Sequence, residues 1–259
     1  MCLILFALNS HPRLPLVLAA NRDEFFARPT RAAHFWTMPT TEQLLAGQDL
    51  EAGGTWLGIN RNGRFAAVTN IRDPSISRQA RLSRGKLVVD FLLGNQEPEE
   101  YLSMLQTQTK AYAGFNLLAG DTNSFCYLNS DRAEVRTLSP GVYGLSNGRL
   151  DEPWPKVRKG KQSLKTLLEQ VDVPAADALL PLLQDRTLAP DSELPHTGMP
   201  LELERQLSAA FINNARRQYG TRCSTTVTRD SSGLLHFCEQ NYDTAGATTT
   251  RQYFEFTLC

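Results

Sequence analysis

What the chain has little of narrows the field first. Its five cysteines (Cys2, Cys126, Cys223, Cys238, Cys259) are scattered, odd in number, and form no CxxC pair. Neither a disulfide scaffold nor a thiolate zinc site is indicated, and the reducing cytosol is the simplest compartment. The four histidines (His11, His34, His196, His236) show no HExxH spacing, so the zinc-protease signature is missing. Lys and Arg together number 27, as do Asp and Glu, a formal charge of zero. Net charge therefore gives no attraction to nucleic acid or to an acidic membrane. No stretch approaches the roughly 20 apolar residues of a spanning helix, and the opening apolar run is too short for a signal-peptide core. The glycine pair Gly53-Gly54 matches neither the P-loop nor the GxGxxG fingerprint, which argues against a nucleotide site. There is no internal repeat and no low-complexity linker.

Met1-Cys2, followed by the apolar run Leu3-Ile4-Leu5-Phe6-Ala7, reads as the entry to a buried strand. Loss of Met1 would leave a thiol and a free α-amine on Cys2. The amine titrates at about 7.7–8.0 and the thiol at about 8.5, so one residue would hold both nucleophile and base. A second apolar run, Leu14–Ala20, follows the turn Ser10-His11-Pro12-Arg13 and completes a β-hairpin. It ends in Asn21-Arg22-Asp23-Glu24, four polar residues that need partners if buried. In such a hairpin Arg22 and Asp23 lie near the Cys2 end. An Asp there suits the α-ammonium and an Arg there favours thiolate over thiol. A structural Arg–Asp pair at a strand end is the alternative.

Residues 25–52 read as a long irregular segment, a candidate loop over the site, because Pro29 and Pro39 exclude one long helix. Asn62-Gly63, between Trp56–Asn60 and Arg64–Asn70, is a strong hairpin signal. Asn70 closes that hairpin as a candidate oxyanion donor or a turn cap. Ile71–Arg84 carries Arg72, Arg78, Arg81 and Arg84 and reads as a locally positive loop or a solvated surface. Helices are predicted over 85–93 and 98–110, and a hairpin over 115–129 that Val135–Leu138 extends. A strand over 141–147 closes at Asn147. Then come a basic helix near 158–170, a short helix near 177–184, a Pro-rich connection over 185–200, and a helix over 201–211 with Leu203, Leu207 and Phe211 inward. A last hairpin (219–228 with 234–240) and a final strand over 247–258 end the chain. This order predicts a single α+β domain over 1–259, two sheets with helices outside them.

The ordered set Met1-Cys2, Asn21-Arg22-Asp23-Glu24, Gly53-Gly54-Thr55-Trp56-Leu57-Gly58, Thr69-Asn70, Ser83-Arg84-Gly85, Leu145-Ser146-Asn147, Trp154-Pro155-Lys156-Val157 and Tyr219-Gly220-Thr221-Arg222 resembles the NRDE family, also called the transport and Golgi organisation protein 2 family. Leu207-Ser208 and Phe211-Ile212 fit it too, so the resemblance spans nearly the whole chain. It implies a four-layer αββα fold of the N-terminal nucleophile hydrolase type, and links to haem mobilisation, lipid and acyl-CoA metabolism and the secretory pathway. A more distant similarity, to bile-salt hydrolases and penicillin V acylases, implies catalytic roles for Cys2, Arg22, Asp23, Asn70, Asn147 and Arg222. Those enzymes separate the Arg and the Asp, whereas Arg22 and Asp23 are adjacent here. Adjacent strand residues point to opposite faces, so one of the two is expected to turn away from Cys2.

Two functions follow. The first is a Cys2 hydrolase of a linear amide or thioester, needing no cofactor. The second is a carrier of haem or acyl-CoA that reuses the fold without catalysis, with His34, beside Phe35-Trp36, as the haem-ligand candidate. A small-molecule ligand is expected under both, and a membrane or secretory scaffold has no sequence feature of its own.

Overall fold

The computed structural model describes residues 3–37, 43–75 and 82–259. In chain order the strands are β1 (Leu3–Leu8), β2 (Leu16–Phe25), β3 (Thr30–Phe35), β4 (Leu44–Asp49), β5 (Leu57–Asn60), β6 (Phe65–Asn70), β7 (Phe115–Gly120), β8 (Phe125–Asn129), β9 (Glu134–Thr137), β10 (Gly141–Leu145), β11 (Asn213–Asn214), β12 (Tyr219–Arg229), β13 (Leu234–Tyr242) and β14 (Thr248–Thr257). The α-helices are α1 (Arg84–Leu93), α2 (Pro98–Gln106), α3 (Pro155–Gln170) and α4 (Leu201–Gln206). They form two compact units, one of the chain up to Ala27 with Pro140–Thr257, the other of Arg28–Ser139 with Leu258–Cys259.

The first unit is an antiparallel sheet in the order β10-β1-β2-β12-β13-β14, with β11 beside β12. Leu3, Leu5, Val17 and Ala19 turn one face of it toward α3 and the 3-10 segment Ala176–Leu183, where Val157, Leu164 and Leu183 complete an apolar cluster. Residues of opposite parity, Ile4, Phe6 and Leu18, are no less buried. That is why these strands are apolar throughout and do not alternate.

The second unit is a meander, β3 to β9 in sequence order. The apolar sides of α1 and α2 (Leu87, Phe91, Tyr101 and Leu102) pack on one face of it. The predicted hairpin at Asn62-Gly63 joins β5 to β6. Gly54 and Gly85 explain each other. A Cβ on Gly54 would lie 2.5 Å from the carbonyl carbon of Gly85, and Gly53 before it has φ +72°. The pair of glycines serves close backbone approach and a left-handed turn.

Two local expectations are corrected, on residues 25–52 and on the helix over 201–211. The described residues of 25–52 are not irregular throughout: β3 and β4 pair within them at the edge of the meander. Val135–Leu138 does extend the sheet as β9, but the next strand, β10, crosses to the other sheet and pairs with β1. Helix α4 stops at Gln206, five residues short of Phe211. Beyond it the carbonyls of Leu207 and Ala210 accept from the side chains of Lys156 and Asn21. Long-range hydrogen bonds thus replace the helical ladder, a case of tertiary context overriding local pattern.

Candidate active site

The side chains of Asn21, Arg22 and Asp23 alternate across β2, as a regular strand requires. Asn21 is fully buried on the helix-covered face. Its amide donates to the carbonyls of Leu183 and Ala210, both at 2.8 Å, and its oxygen accepts from Ser224 Oγ at 2.6 Å. Ser224 in turn accepts from the Tyr242 hydroxyl. Asn21 is therefore a structural clamp, holding the segment after α4 against the sheet.

Asp23, two residues on, shares the face of Asn21. Its Oδ1 accepts from Thr221 Oγ1 at 2.7 Å, and the same hydroxyl accepts from Ile212 N at 2.9 Å. Asp23 Oδ2 is buried with no hydrogen-bond partner among the described residues. A buried carboxylate oxygen left this way is costly unless a donor reaches it.

Arg22 turns to the opposite face, where its cross-strand neighbour is Cys223. Burial pushes the Cys223 thiol well above its ordinary value, and the carboxylate of Glu239 beside it adds to the rise, against Arg22 and Arg222. Cys223 is thus a neutral thiol packed between charged groups, not an activated one.

A β-bulge sets these relationships. Thr221 pairs with Asp23 and Cys223 with Arg22, leaving Arg222 as the extra residue. In an unbulged ladder Arg222 would face Asp23. Instead its Nη1 donates to the carbonyls of Phe25 and Phe26, each at 3.0 Å, fixing the chain as it leaves β2. Burial, and then the nearby Arg22, hold the Arg222 guanidinium below the usual arginine value.

Asn147 is buried two residues past the end of β10, the strand that pairs with β1 at Ile4 and Leu145. The first unit therefore holds Arg22, Asp23, Asn147 and Arg222. Asn70 belongs to the second unit, where it closes β6 opposite Phe115. Beside it, Thr69 accepts from the buried amide of Asn116, whose oxygen takes the hydroxyl of Tyr127 and the amide of Asn129. His34 stacks on Trp36 at 6.3 Å with its Nδ1 bonded to the Ala32 carbonyl. Among the described residues no group of three His, Cys, Asp or Glu side chains could hold a metal ion, and no helix is long and apolar enough to cross a membrane. Cys2, Arg78 and Arg81 lie outside the described residues.

Sequence reasoning missed Thr221 and Ser224. Thr221 lies inside the motif Tyr219-Gly220-Thr221-Arg222, beside Arg222. A hydroxyl in a Thr-rich strand gives no local sign that it meets a residue 198 positions away.

The whole chain has close parallels. A family model described as "Transport and Golgi organisation 2" matches residues 1–244. The Transport and Golgi organization protein 2 homolog of Bos taurus is 36% identical, with 98% of this chain and 99% of that protein covered. The homolog of Homo sapiens is 35% identical over 100% of this chain and 99% of its own length. Among solved structures, two variants of the conjugated bile acid hydrolase of Clostridium perfringens superpose with TM-scores of 0.52 and 0.53. They are 9% and 7% identical and cover 100% and 99% of this chain, and 92% and 98% of their own. At that identity the likeness speaks for the fold alone, which is the N-terminal nucleophile hydrolase fold, in line with the expected α+β class. On the match to the family model and on these relatives, the chain belongs to the Transport and Golgi organisation 2 family.

Proposed function

We infer that this protein is an N-terminal cysteine hydrolase of linear amides or thioesters, with Cys2 as nucleophile once Met1 is removed. The observation that carries the reading is Asp23 Oδ2, buried and without a hydrogen-bond partner among the described residues. An α-ammonium is the kind of group that such an oxygen accepts from.

The strand registers support it. Leu3 pairs with Asn21, and Ile4 with Leu145. Arg22 and Asp23 are the next two residues of β2 after Asn21, and Asn147 lies two residues past Leu145. Cys2 is bonded directly to Leu3. The adjacency of Arg22 and Asp23 then becomes a division of labour. A guanidinium on one face favours a thiolate. The carboxylate of Asp23, on the other face, is the group this reading assigns to the α-amine of Cys2.

The chemistry follows the single-residue nucleophile–base scheme. The α-amine takes the Cys2 thiol proton and the thiolate adds to the carbonyl. Asn147 donates to the oxyanion, a role worth about 2.7–4 kcal/mol per donor. Collapse expels the amine or thiol leaving group with the proton from the α-ammonium. Water, deprotonated by the same amine, then cleaves the acyl-thioester and restores Cys2.

Intact mass of the native protein, before and after a thiol-reactive amide or thioester probe, tests this. Loss of Met1 with one stoichiometric adduct, absent in Cys2→Ala, supports it. Retained Met1 with an unreactive Cys2 overturns it, and titration with haem and acyl-CoA then tests the carrier alternative.

A further inference from the structure

The outer edge of the first unit's sheet is β14, which pairs with β13 along one side and with no other strand among the described residues. It is long, ten residues, and seven of them are exposed. An edge of this kind presents a row of backbone donors and acceptors, and folded proteins blunt such edges with Pro, charged side chains (Lys above all), bulges or covering segments; here the one register shift lies at the Thr248 end and leaves Arg251–Thr257 regular. The sequence of β14, Thr-Thr-Thr-Arg-Gln-Tyr-Phe-Glu-Phe-Thr, has neither Pro nor Lys. It is rich instead in the β-branched and aromatic residues that favour pairing.

The strand is also complementary to itself. Placed antiparallel to a second copy about a two-fold axis at Tyr253, Arg251 faces Glu255 of the partner subunit, and Glu255 faces the partner's Arg251. Tyr253, 51% exposed, meets its own copy; the register against β13 is regular from Arg251 to Thr257 and shifts only between Arg251 and Thr248. Opposite charges and aromatic pairs are among the cross-strand combinations that stabilise a ladder. On the other face Gln252 meets the partner's Phe254. Shifting the axis to Gln252 sets Arg251 against tyrosine, and shifting it to Phe254 sets Glu255 against tyrosine. Only the axis at Tyr253 matches the charges, and a symmetric contact of this sort closes after two subunits. Within the chain Arg251 contacts Gln240 at 2.9 Å and Asp177 at 3.6 Å, and Glu255 contacts His236 at 3.2 Å.

We propose that the edge of β14 is a homodimer interface, joining two copies of this chain through antiparallel pairing centred on Tyr253. The partner is a second copy because the charge pattern is its own complement. Nothing in the inference depends on Cys2 chemistry.

Sedimentation velocity across a dilution series reads the assembly state. The native chain is expected as a dimer that dissociates on dilution. Arg251→Glu sets like charges opposite each other twice and is expected to weaken the dimer about tenfold or more, whereas the double swap Arg251→Glu with Glu255→Arg restores it. Register is read by oxidative cross-linking on a Cys259→Ser background, with Cys259 removed because it is exposed. Tyr253→Cys is expected to form a covalent dimer, and Thr249→Cys, far from its own copy in this register, is not. A monomer at every concentration, a dimer indifferent to Arg251→Glu, or no cross-link at position 253 overturns the proposal. The cross-linking pair keeps the test decisive even if the charge variant folds poorly.

Discussion

The hydroxyl of Thr221 donates to Asp23 Oδ1 at 2.7 Å from the residue just before a β-bulge, so a neutral donor stands where an unbulged strand would bring Arg222. One carboxylate oxygen is thereby fixed and the other kept free of a guanidinium. The consequence is testable under the proposed reading. Thr221→Val removes the bond and leaves Ile212 N without its acceptor, whereas Thr221→Ser keeps both. A hydrogen bond to a charged group is worth about 1.5–3 kcal/mol, so the Val variant is expected to unfold about 2 kcal/mol more easily. A purely structural role predicts only that. Positioning of Asp23 predicts, in addition, a Val-specific shift in the pH profile of Cys2 labelling, recovered by Ser.

Asn21 makes a prediction about stability alone. Its amide satisfies two buried carbonyls and its oxygen takes a serine hydroxyl. Each buried group left unsatisfied costs about 1–3 kcal/mol, so Asn21→Ala is expected to lose about 3 kcal/mol or more in urea unfolding. Asn21→Asp, nearly the same shape, is expected to fare no better, because it sets a carboxylate oxygen against two carbonyls. An Asp variant as stable as the native chain would refute the clamp.

Gly54 and Gly85, in the second unit, are expected to differ in tolerance. A Cβ at Gly54 meets the backbone of Gly85 at 2.5 Å, but one at Gly85 meets the Thr55 carbonyl at 3.0 Å. Backbone atoms cannot rotate away. Gly54→Ala is therefore expected to cost about 1–3 kcal/mol and Gly85→Ala less, read as the order of their midpoints in thermal unfolding.

Thiol chemistry separates the cysteines. Cys126, Cys223 and Cys238 are buried, whereas Cys259 is exposed. Native labelling at mild pH is expected to modify Cys259 quickly and those three slowly. On a Cys259→Ser background, one remaining fast thiol is the expected signature of Cys2.

The same burial gives a pH dependence. Burial raises the folded-state value of the Cys223 thiol, so the unfolded chain gives up that proton first. The stability Cys223 contributes is fully present below the unfolded thiol value of about 8.5, and it is lost as pH rises from there toward the folded value. While pH lies between the two values this group lowers the unfolding free energy by about 1.4 kcal/mol per pH unit. Cys223→Ala is expected to flatten that decline in denaturant titrations, and an unchanged slope would contradict it.

The chain's own residues determined much of this protein. Apolar runs on both sides of the Ser10–Arg13 turn, Asn62-Gly63 between β-prone runs, and the helical spacing of 85–93 are local signals, and each became the element it predicted. The family, too, was legible in short ordered motifs. Local pattern could not say which sheet a strand joins, because β9 and β10 are consecutive in the chain yet pair in different sheets. Nor could it foresee that residues 207–212 would leave a helical pattern, since the buried side chains that hold them, Lys156, Asn21 and Thr221, come from distant strands and helices. The division of Asn21, Arg22 and Asp23 between two faces was implied by strand geometry. Which face covers a clamp and which holds Cys223 was decided by cross-strand register, and register is set by the whole sheet, including one inserted residue at Arg222.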